Sequence, residues 1–328
     1  MANADVAVVV PVYNRPTLSL DALNCVASQS LLPRRLVVVD DGSTDGTADA
    51  VADWLQTTRP ALESSLVRLP RNGGASAARN RGLAMARDCR FIAFLDSDDL
   101  WPADFIERTS AALAAHPKAV AATTDRVHVF EETQEVRMFD LRLFARNATY
   151  WMFANDSGIV PVTLSVTERI LELGGFNERL PTGHDADLFL SLSLLGEWLH
   201  VPGSPVIIRR FRQNNHGESP HLSEKYADNQ RQWAQIHEDF IERKGGKRVV
   251  PRWLYVRILA NRWNCAGRQL LYAGRAADAR RCLMRSLGWR PWRPDVWLRL
   301  LKTYSFSFRS RVGRRSGKSA PLSLADSR

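Results

Sequence analysis

Three acidic residues near position 97 have the type and spacing to do metal or phosphate chemistry. The preceding run Phe91–Leu95 is bulky and uncharged, as in a strand buried on both faces of a parallel sheet, and Asp96-Ser97-Asp98-Asp99 follows it directly. Carboxylates crowded at a strand end repel one another, and a hard cation such as Mg²⁺ or Mn²⁺ would offset that repulsion. A lone D-x-D is more often a polar turn that caps a helix than a metal site. The choice between the two depends on the other motifs in the sequence.

Polar residues also follow two earlier apolar runs. Val6–Val12 leads into Tyr13-Asn14, and Leu36–Val39 leads into Asp40-Asp41. Together with Ser65–Leu69 and the helical segments between these runs, the first hundred residues have a β-α-β-α-β-α-β pattern. This pattern predicts a parallel sheet with helices on both faces, in which ligands bind at the carboxyl ends of the strands. The polar strand ends should therefore meet in one nucleotide-binding crevice. The sequence contains neither G-x-G-x-x-G after the first strand nor a P-loop, which disfavours dinucleotide binding and P-loop chemistry.

The composition indicates a folded protein whose positive charge lies in its C-terminal part. The chain has 328 residues, of which 45% are hydrophobic and 24% are charged. Residues 1–240 carry 23 Lys and Arg against 31 Asp and Glu, whereas residues 241–328 carry 22 against 4. A basic segment of this kind indicates an anionic partner, either membrane lipid or nucleic acid.

Several sequence features favour a cytoplasmic location. The N-terminus lacks the basic segment and the cleavage site of a secretory signal, and no apolar run reaches the roughly 20 residues of a membrane-spanning helix. The four cysteines are scattered, with neither C-x-x-C pairing nor metal-finger spacing. We therefore expect a reduced cytoplasmic protein, in which the basic segment allows peripheral contact with the cytosolic face of the membrane.

Four motifs in the first hundred residues resemble family 2 glycosyltransferases with the GT-A fold. They are VVVPVYNRP, VVVDDGSTDGT, RNGGASAARNRGL and FIAFLDSDDLW, and they occur in the order and at the spacing of that family. The resemblance continues through Gly174-Gly175-Phe176-Asn177-Glu178 and His184-Asp185-Ala186-Asp187, and it covers about residues 5–215. It implies an inverting, nucleotide-sugar-dependent enzyme with an α/β fold, in which a GT-A Rossmann-like, mostly parallel sheet is flanked by helices.

The resemblance also implies roles for individual residues. Asp98 is implied as the ligand of Mn²⁺ or Mg²⁺, and Asp185 as the base that deprotonates the acceptor hydroxyl in a single in-line displacement. We expect Asp99 only to cap the following helix. The residues implied in donor binding are Pro11, Tyr13, Asn14, Asp40, Asp41, Arg79 and Asp96, the last through the ribose or in support of the metal.

Two positions depart from the family pattern. The family carries a Glu-Asp pair at the start of the acceptor-side helix, and here His184 replaces the Glu and precedes Asp185. The family's Arg-x-His after the last strand is matched only loosely, with Arg212 at the histidine position and His216 further on. His184, Asp187, Arg212 and His216 are therefore additional candidate site residues, and each can also be explained as an ordinary loop or helix residue.

The C-terminal part is predicted to be a helical appendage. We expect a glycosyltransferase domain over residues 1–220, a basic helical appendage over 221–309 and a disordered tail over 310–328. Trp289, Trp292 and Trp297 alternate with arginines, which suits an anionic bilayer interface. The alternative is that these tryptophans pack on the catalytic domain while the arginines are solvated.

These observations predict a metal-dependent inverting glycosyltransferase. It would move a sugar from a nucleotide-diphosphate sugar to a hydroxyl of a glycan or lipid-linked acceptor, in the synthesis of cell-surface polysaccharide or glycoconjugates. A nucleotidyltransferase that makes nucleotide sugars is an alternative, but it would need a glycine-rich phosphate loop where this chain has Tyr13-Asn14-Arg15-Pro16. Nucleic-acid binding by the basic tail is a further alternative, and it does not explain the strand-end carboxylates.

Overall fold

The computed structural model describes residues 3–58, 62–155, 158–211 and 228–315. Contacts divide these residues into two compact units. The first contains the described parts of Met1–Tyr226 together with Ile236–Pro251. The second contains those of Ala227–Gln235 and Arg252–Arg328. No helix in the described part of the chain is long and apolar enough to cross a bilayer.

The first unit begins with the predicted alternation of strands and helices. Its elements are β1 (Ala4–Val12), α1 (Pro16–Ala27), β2 (Pro33–Asp40), α2 (Thr47–Thr58), β3 (Glu63–Arg68), α3 (Ala75–Met85) and β4 (Phe91–Phe94). The strands pair in parallel as β3-β2-β1-β4. Val6–Val10 and Leu36–Val39 are completely buried, because helices cover both faces of the sheet. This confirms the predicted parallel arrangement.

The rest of the first unit extends this sheet and adds a second one. The elements are β5 (Asp99–Leu100), α4 (Phe105–Ala115), β6 (Ala119–Thr123), β7 (Arg126–Phe130), β8 (Glu135–Phe139), α5 (Arg142–Arg146), α6 (Ala148–Ala154), β9 (Thr163–Val166), α7 (Thr167–Glu172), α8 (His184–Leu192), β10 (Glu197–His200) and β11 (Val206–Arg210). The main sheet has the order β10-β6-β9-β4-β1-β2-β3, and β9 is antiparallel to both neighbours. The second sheet has the order β5-β11-β7-β8.

Two stretches of this region that look like single strands in the sequence are divided in the structure. Residues 120–130 contribute to β6 in the main sheet and to β7 in the second sheet, and β7 pairs with β8 as an antiparallel hairpin. Within residues 159–166, Val160–Val162 forms a 3₁₀ turn before β9. Pro161 lies in that turn, and a proline cannot donate a ladder hydrogen bond.

The second unit is helical and has two apolar clusters. Its helices are α10 (Arg252–Tyr272), α11 (Ala276–Trp289) and α12 (Pro294–Arg315), and the first part of α9 (Asn229–Glu242) also belongs to it. Trp263, Leu270 and Cys282 contribute to the first cluster. The second consists of Leu283, Leu287, Val296 and Leu300, which join α11 to α12.

The predicted domain limits at 220 and 310 differ from these boundaries. Ile236–Pro251 belongs to the first unit, where Phe240 and His237 of α9 pack against Phe153. Helix α12 continues to Arg315 and so overlaps the start of the segment that we expected to be disordered. Residues 316–328 lie outside the described part of the chain.

Candidate active site

The loop after β1 is fastened to the loop after β2. The Asn14 N–H donates to Ser43 Oγ at 3.0 Å, and Asn14 Oδ1 accepts the Thr44 N–H at 2.9 Å. The Arg15 N–H donates to Thr47 Oγ1 at 2.9 Å. Asn14 adopts a φ of +48°, a left-handed conformation that asparagine tolerates better than most residues. The predicted donor residue Asn14 therefore fixes the course of the chain on both sides of the crevice.

Asp41 fastens the glycine loop in front of α3. Its two carboxylate oxygens accept the N–H groups of Gly73 and Gly74 at 2.7 and 2.8 Å. Burial raises the pKa of Asp41, and these two hydrogen bonds oppose the rise. Asp40 is also buried; its Oδ2 accepts the Ser43 N–H at 3.2 Å, while Oδ1 has no hydrogen-bond partner within the described residues. An acceptor atom therefore remains at the end of β2.

Arg79 links the end of β4 to the start of α8. The guanidinium donates from one nitrogen to Asp96 Oδ1, and its other terminal nitrogen lies 2.7 Å from His184 Nε2. Because a guanidinium can only donate, Nε2 is the acceptor and the histidine proton is on Nδ1. Burial and the charge of Arg79 lower the pKa of His184 to about 4, although Asp185 opposes this shift. His184 is therefore neutral at pH 7, and the structure brings these three predicted residues into one chain of contacts.

Asp98 and Asp99 have different partners. The Arg15 guanidinium donates to Asp98 Oδ2 at 2.6 Å, and the two side chains are only 16% and 12% exposed. Asp99 Oδ1 accepts the Arg209 N–H at 3.2 Å, and Arg209 Nε donates to the Asp98 carbonyl at 2.7 Å. The adjacent residues at this strand end thus have separate environments.

The expectation that Asp99 caps a helix was wrong. Helix α4 begins at Phe105 and its N-cap position is Asp104, whereas Asp99 lies buried in β5. Burial and the neighbouring charges of Asp98 and Asp96 raise the pKa of Asp99 well above its usual range. Asp99 therefore stabilises the β5–β11 pairing through the backbone of Arg209.

Helix α8 presents two acids that point to different surroundings. It begins at His184 after Gly183, which has a φ of +71°, and Asp185 is half-buried in the first turn. Burial lowers the pKa of Arg126 to about 10, and the charges of Asp99 and Asp185 oppose that shift. Asp185 is therefore close enough to Arg126 for their charges to interact. Asp187 Oδ1 instead accepts from Lys244 Nζ at 2.5 Å.

Two of the predicted donor residues lie at the expected strand end, and two other candidates cannot be placed. Pro11 and Tyr13 are half-buried at and after the carboxyl end of β1. Arg212 and His216 lie outside the described residues.

The sequence did not assign roles to Arg15, Arg126 and Arg209, although each one neighbours a motif residue, in sequence or in space. The signal for Arg15 was its position between Asn14 and Pro16, in the loop that the motif itself marks.

The acids at the end of β4 fit a hard divalent cation. They offer oxygen ligands only, as Mg²⁺ and Mn²⁺ prefer. The positively charged Arg15 guanidinium is already hydrogen-bonded to Asp98, where a metal cation would bind. A separate group with metal-ligand chemistry is formed by Asp125, Asp140 and His200, whose ligand atoms lie within 4.8 Å of one another. His200 Nε2 is 2.8 Å from Asp125 Oδ1, and Asp140 pairs with Arg142. This group does not include the predicted ligand Asp98.

Comparison with known proteins agrees with this architecture. The family model described as glycosyl transferase family 2 matches residues 7–165. An Escherichia coli protein, the UDP-Glc:alpha-D-GlcNAc-diphosphoundecaprenol beta-1,3-glucosyltransferase WfgD, is 26% identical over 72% of this chain and 87% of its own length. The succinoglycan biosynthesis protein ExoO of Rhizobium meliloti is 31% identical over 64% of this chain and 62% of its own length. Several further relatives are matched over 39% or less of their own length.

Solved structures share the fold over nearly the whole chain. Residues 1–349 of Staphylococcus aureus TarS in complex with UDP superpose with a TM-score of 0.64 at 19% identity, covering 98% of this chain and 94% of that one. The mannosyltransferase PcManGT of Pyrobaculum calidifontis, solved with GDP-Man and Mn²⁺, gives a TM-score of 0.55 at 20% identity, covering 97% and 89%. The fold is therefore the GT-A type that the motifs implied.

The fold and the strand-end motifs define an enzyme of the GT-A glycosyltransferase class. Residues 7–165 carry a glycosyl transferase family 2 domain. This domain confirms the predicted enzyme class, a glycosyltransferase, rather than the nucleotidyltransferase alternative.

Proposed function

We propose that this protein is a metal-dependent, inverting glycosyltransferase that moves a sugar from a nucleotide-diphosphate sugar to a hydroxyl of a glycan or lipid-linked acceptor. The observation that carries the proposal is the pairing of Asp96 with Arg79 and of Asp98 with Arg15 at the end of β4. These groups lie at the carboxyl edge of a parallel sheet, where ligands of such folds bind. They provide carboxylates for a cation and guanidinium groups for a diphosphate.

The metal role in this proposal belongs to Asp98. Mn²⁺ or Mg²⁺ on this carboxylate would neutralise the charge that develops on the leaving diphosphate. The Pyrobaculum mannosyltransferase, which was solved with GDP-Man and Mn²⁺, supports this choice for a GT-A fold. Asp96 is proposed to contact the ribose or to assist the metal, with Arg79 holding its carboxylate in place.

The donor nucleotide is proposed to lie against the ends of β1 and β2. Tyr13 and Pro11 would contact the base, and the buried Asp40 Oδ1 would accept a hydrogen bond from the base or the ribose. Asn14 and Asp41 would contribute mainly by holding the two loops that form the pocket, because their side chains already bond to backbone N–H groups. The structural neighbours support a donor of this class, since they were solved with UDP, UDP-GlcNAc and GDP-Man.

The base in the proposed reaction is Asp185. The acceptor hydroxyl oxygen forms a bond to the anomeric carbon while the bond from that carbon to the diphosphate breaks. The hydroxyl proton goes to the Asp185 carboxylate, and the nucleoside diphosphate leaves with the bonding electrons. His184 would position Arg79, and Asp187 would support α8 through its ion pair with Lys244. Arg212 and His216 remain candidates for contact with the diphosphate.

The acceptor is proposed to be glycan or lipid-linked, in cell-surface polysaccharide or glycoconjugate synthesis. The Escherichia coli relative is named for a sugar carried on diphosphoundecaprenol, and the Rhizobium relative for succinoglycan biosynthesis. The enzyme would then work as a cytoplasmic protein at the cytosolic face of the membrane, with residues 241–328 in contact with anionic lipid. In support of this contact, Trp292 and Trp297 in this segment are 92% and 47% exposed.

Paired substitutions at the two proposed catalytic positions test this function. Asp98→Asn should abolish turnover of nucleotide sugar in MnCl₂ and weaken Mn²⁺-dependent binding of the nucleoside diphosphate. Asp185→Asn should leave that binding intact while transfer falls by about 10²- to 10⁴-fold, the usual contribution of a general base. Full transfer by Asp98→Asn would remove that residue from the metal site. An unchanged rate for Asp185→Asn would remove it as the base.

A further inference from the structure

Arg15 is held against Asp98 by its backbone as well as by its charge. Its N–H is bonded to Thr47 Oγ1, the preceding Asn14 is bonded to the loop after β2, and the following Pro16 begins α1. The guanidinium is therefore placed at Asp98 before any ligand arrives. The ion pair is mostly shielded from water, so it is stronger than a pair on the surface.

The guanidinium and a divalent cation compete for the Asp98 carboxylate. The Arg15 guanidinium lies 2.6 Å from Asp98 Oδ2, and Mg²⁺ ligated by either carboxylate oxygen would lie at about 2.0–2.1 Å from it. Two positive charges would then stand close together in a site that is mostly shielded from water, and their repulsion favours one cation at a time. The other two acids are poor substitutes, because Asp96 is paired with Arg79 and Asp99 is buried on the Arg209 N–H.

We propose that Arg15 is the resident cation of Asp98, that the divalent metal displaces it, and that the displaced guanidinium then binds the diphosphate of the donor. This rests on the proposed function and adds a residue to it. The exchange keeps the carboxylate neutralised in the metal-free enzyme and delivers a phosphate-binding group when metal and donor enter. Before the exchange, Arg15 is paired with Asp98. After it, the metal is paired with Asp98 and Arg15 is paired with the diphosphate.

The exchange predicts opposite effects on the two ligands when Arg15 is removed. Arg15→Met should bind Mn²⁺ about fivefold more tightly without nucleotide, because no internal cation competes for Asp98. The same variant should bind UDP at least about fivefold more weakly at saturating Mn²⁺, because the diphosphate loses its guanidinium. Arg15→Lys keeps the competing charge, so its Mn²⁺ affinity should stay close to that of the unmodified protein. Simple structural damage would weaken both ligands together.

Isothermal titration of the full chain with MnCl₂, and then with UDP or GDP at saturating Mn²⁺, measures both effects. Arg68→Met is the matched control, because Arg68 pairs with the exposed Asp49. Each protein should also carry His200→Gln, so that the Asp125–Asp140–His200 group does not contribute to the titration. Unchanged affinities in Arg15→Met, or a loss of both, would overturn the exchange while leaving the proposed function standing. Failure of the parent protein to bind Mn²⁺ and either nucleotide would overturn both.

Discussion

Each acid at the end of β4 has its own partner, and the partner separates roles that the sequence alone left close together. Asp96 is held by Arg79, Asp98 by Arg15, and Asp99 by the backbone of Arg209. The D-x-D motif can be recognised in the sequence because it follows a buried strand. The contact of Asp99 with Arg209 could not be predicted, because the two residues are 110 positions apart in the chain. Arg15 and Arg79 lie in or next to motifs that the sequence marks, but their pairing with Asp98 and Asp96 depends on the fold.

His184 shows how a departure from the family pattern changes the charge of the site. A glutamate at this position would give Arg79 a second anion, whereas a neutral histidine accepts the hydrogen bond and leaves more of the positive charge uncompensated. In the proposed function, that charge would be available to the diphosphate of the donor. The substitution was visible in the sequence, but its consequence depends on the Arg79 contact and on burial, which only the fold supplies.

The lowered pKa of His184 predicts a pH dependence of stability. Its pKa is about 4 in the folded protein and about 6.5 in an unfolded chain, so between these values the unfolded state binds more protons. The free energy of unfolding should therefore fall as the pH is lowered from about 6.5 to 4. In His184→Gln, which retains an acceptor for Arg79, this decline should be shallower. Urea unfolding at a series of pH values measures it.

Two other histidines matter for that experiment, His128 as a common background and His116 as a control. Burial lowers the pKa of His128 to about 3, so this residue adds a decline of the same sign in both proteins. His116→Gln replaces an exposed histidine and serves as the matched control. A pH slope in His184→Gln equal to that of the unmodified protein would show that His184 is not held neutral by its surroundings.

At the scale of elements, the first half of the fold follows from hydrophobic patterning and the second half does not. Continuous apolar runs such as Val6–Val10 predict strands buried on both faces, and β1 to β4 appear where expected. The insertion of β9 antiparallel between β4 and β6 depends on contacts distant in sequence. The two-residue strand β5 is too short to give any periodic signal. Its existence depends on pairing with β11.

Over residues 294–304, where the side chains of helix α12 are described, apolar residues lie on two faces, and one of these faces is buried. Val296 and Leu300 pack with Leu283 and Leu287 of α11. Among the described residues in and just before this helix, large exposed apolar side chains belong to Trp292, Trp297, Leu298, Leu301 and Tyr304. Trp292 is 92% exposed. An exposed apolar face on a basic unit suits an anionic bilayer interface.

Substitution of this face should remove membrane binding without unfolding the unit. We expect Trp297→Glu combined with Leu301→Glu to lose most binding to phosphatidylglycerol vesicles, because both the apolar contact and the charge attraction weaken. Deletion of α12 would be a poorer test, since it would also expose the buried partners of Val296. Vesicle sedimentation of the full chain measures the effect, with circular dichroism to follow folding.

The control for this surface is another exposed aromatic residue. Tyr272 at the end of α10 is 83% exposed, and Tyr272→Glu should bind vesicles like the unmodified protein. Phosphatidylcholine vesicles should bind every variant weakly, because they lack the anionic headgroup. Equal binding of the double variant and the unmodified protein to phosphatidylglycerol would rule out this face as the membrane contact.

At the scale of the whole molecule, acidic and basic residues are separated along the chain. Residues 1–240 have a net charge of −8 and residues 241–328 of +18, from the same counts that give +10 overall. The acidic part contains the family 2 domain, in which carboxylates at the strand ends are the proposed catalytic groups. The basic part has no such motif and offers charge and exposed apolar surface instead. In the proposed function, the two parts would serve two different ligands of one reaction, a soluble donor and an acceptor at an anionic surface.

Every role proposed for the end of β4 depends on one event, the binding of a nucleotide sugar through a divalent metal on Asp98. Thermal unfolding of the full chain with UDP-glucose, UDP-GlcNAc or GDP-mannose, in MnCl₂ and in EDTA, measures this binding. A donor at a hundredfold excess over its dissociation constant stabilises the folded state by about 2.7 kcal/mol. We predict that at least one nucleotide sugar raises the Tm in MnCl₂ only, and that Asp98→Asn loses this rise. No rise with any donor, or an equal rise in EDTA, would show that Asp98 does not hold a metal for donor binding.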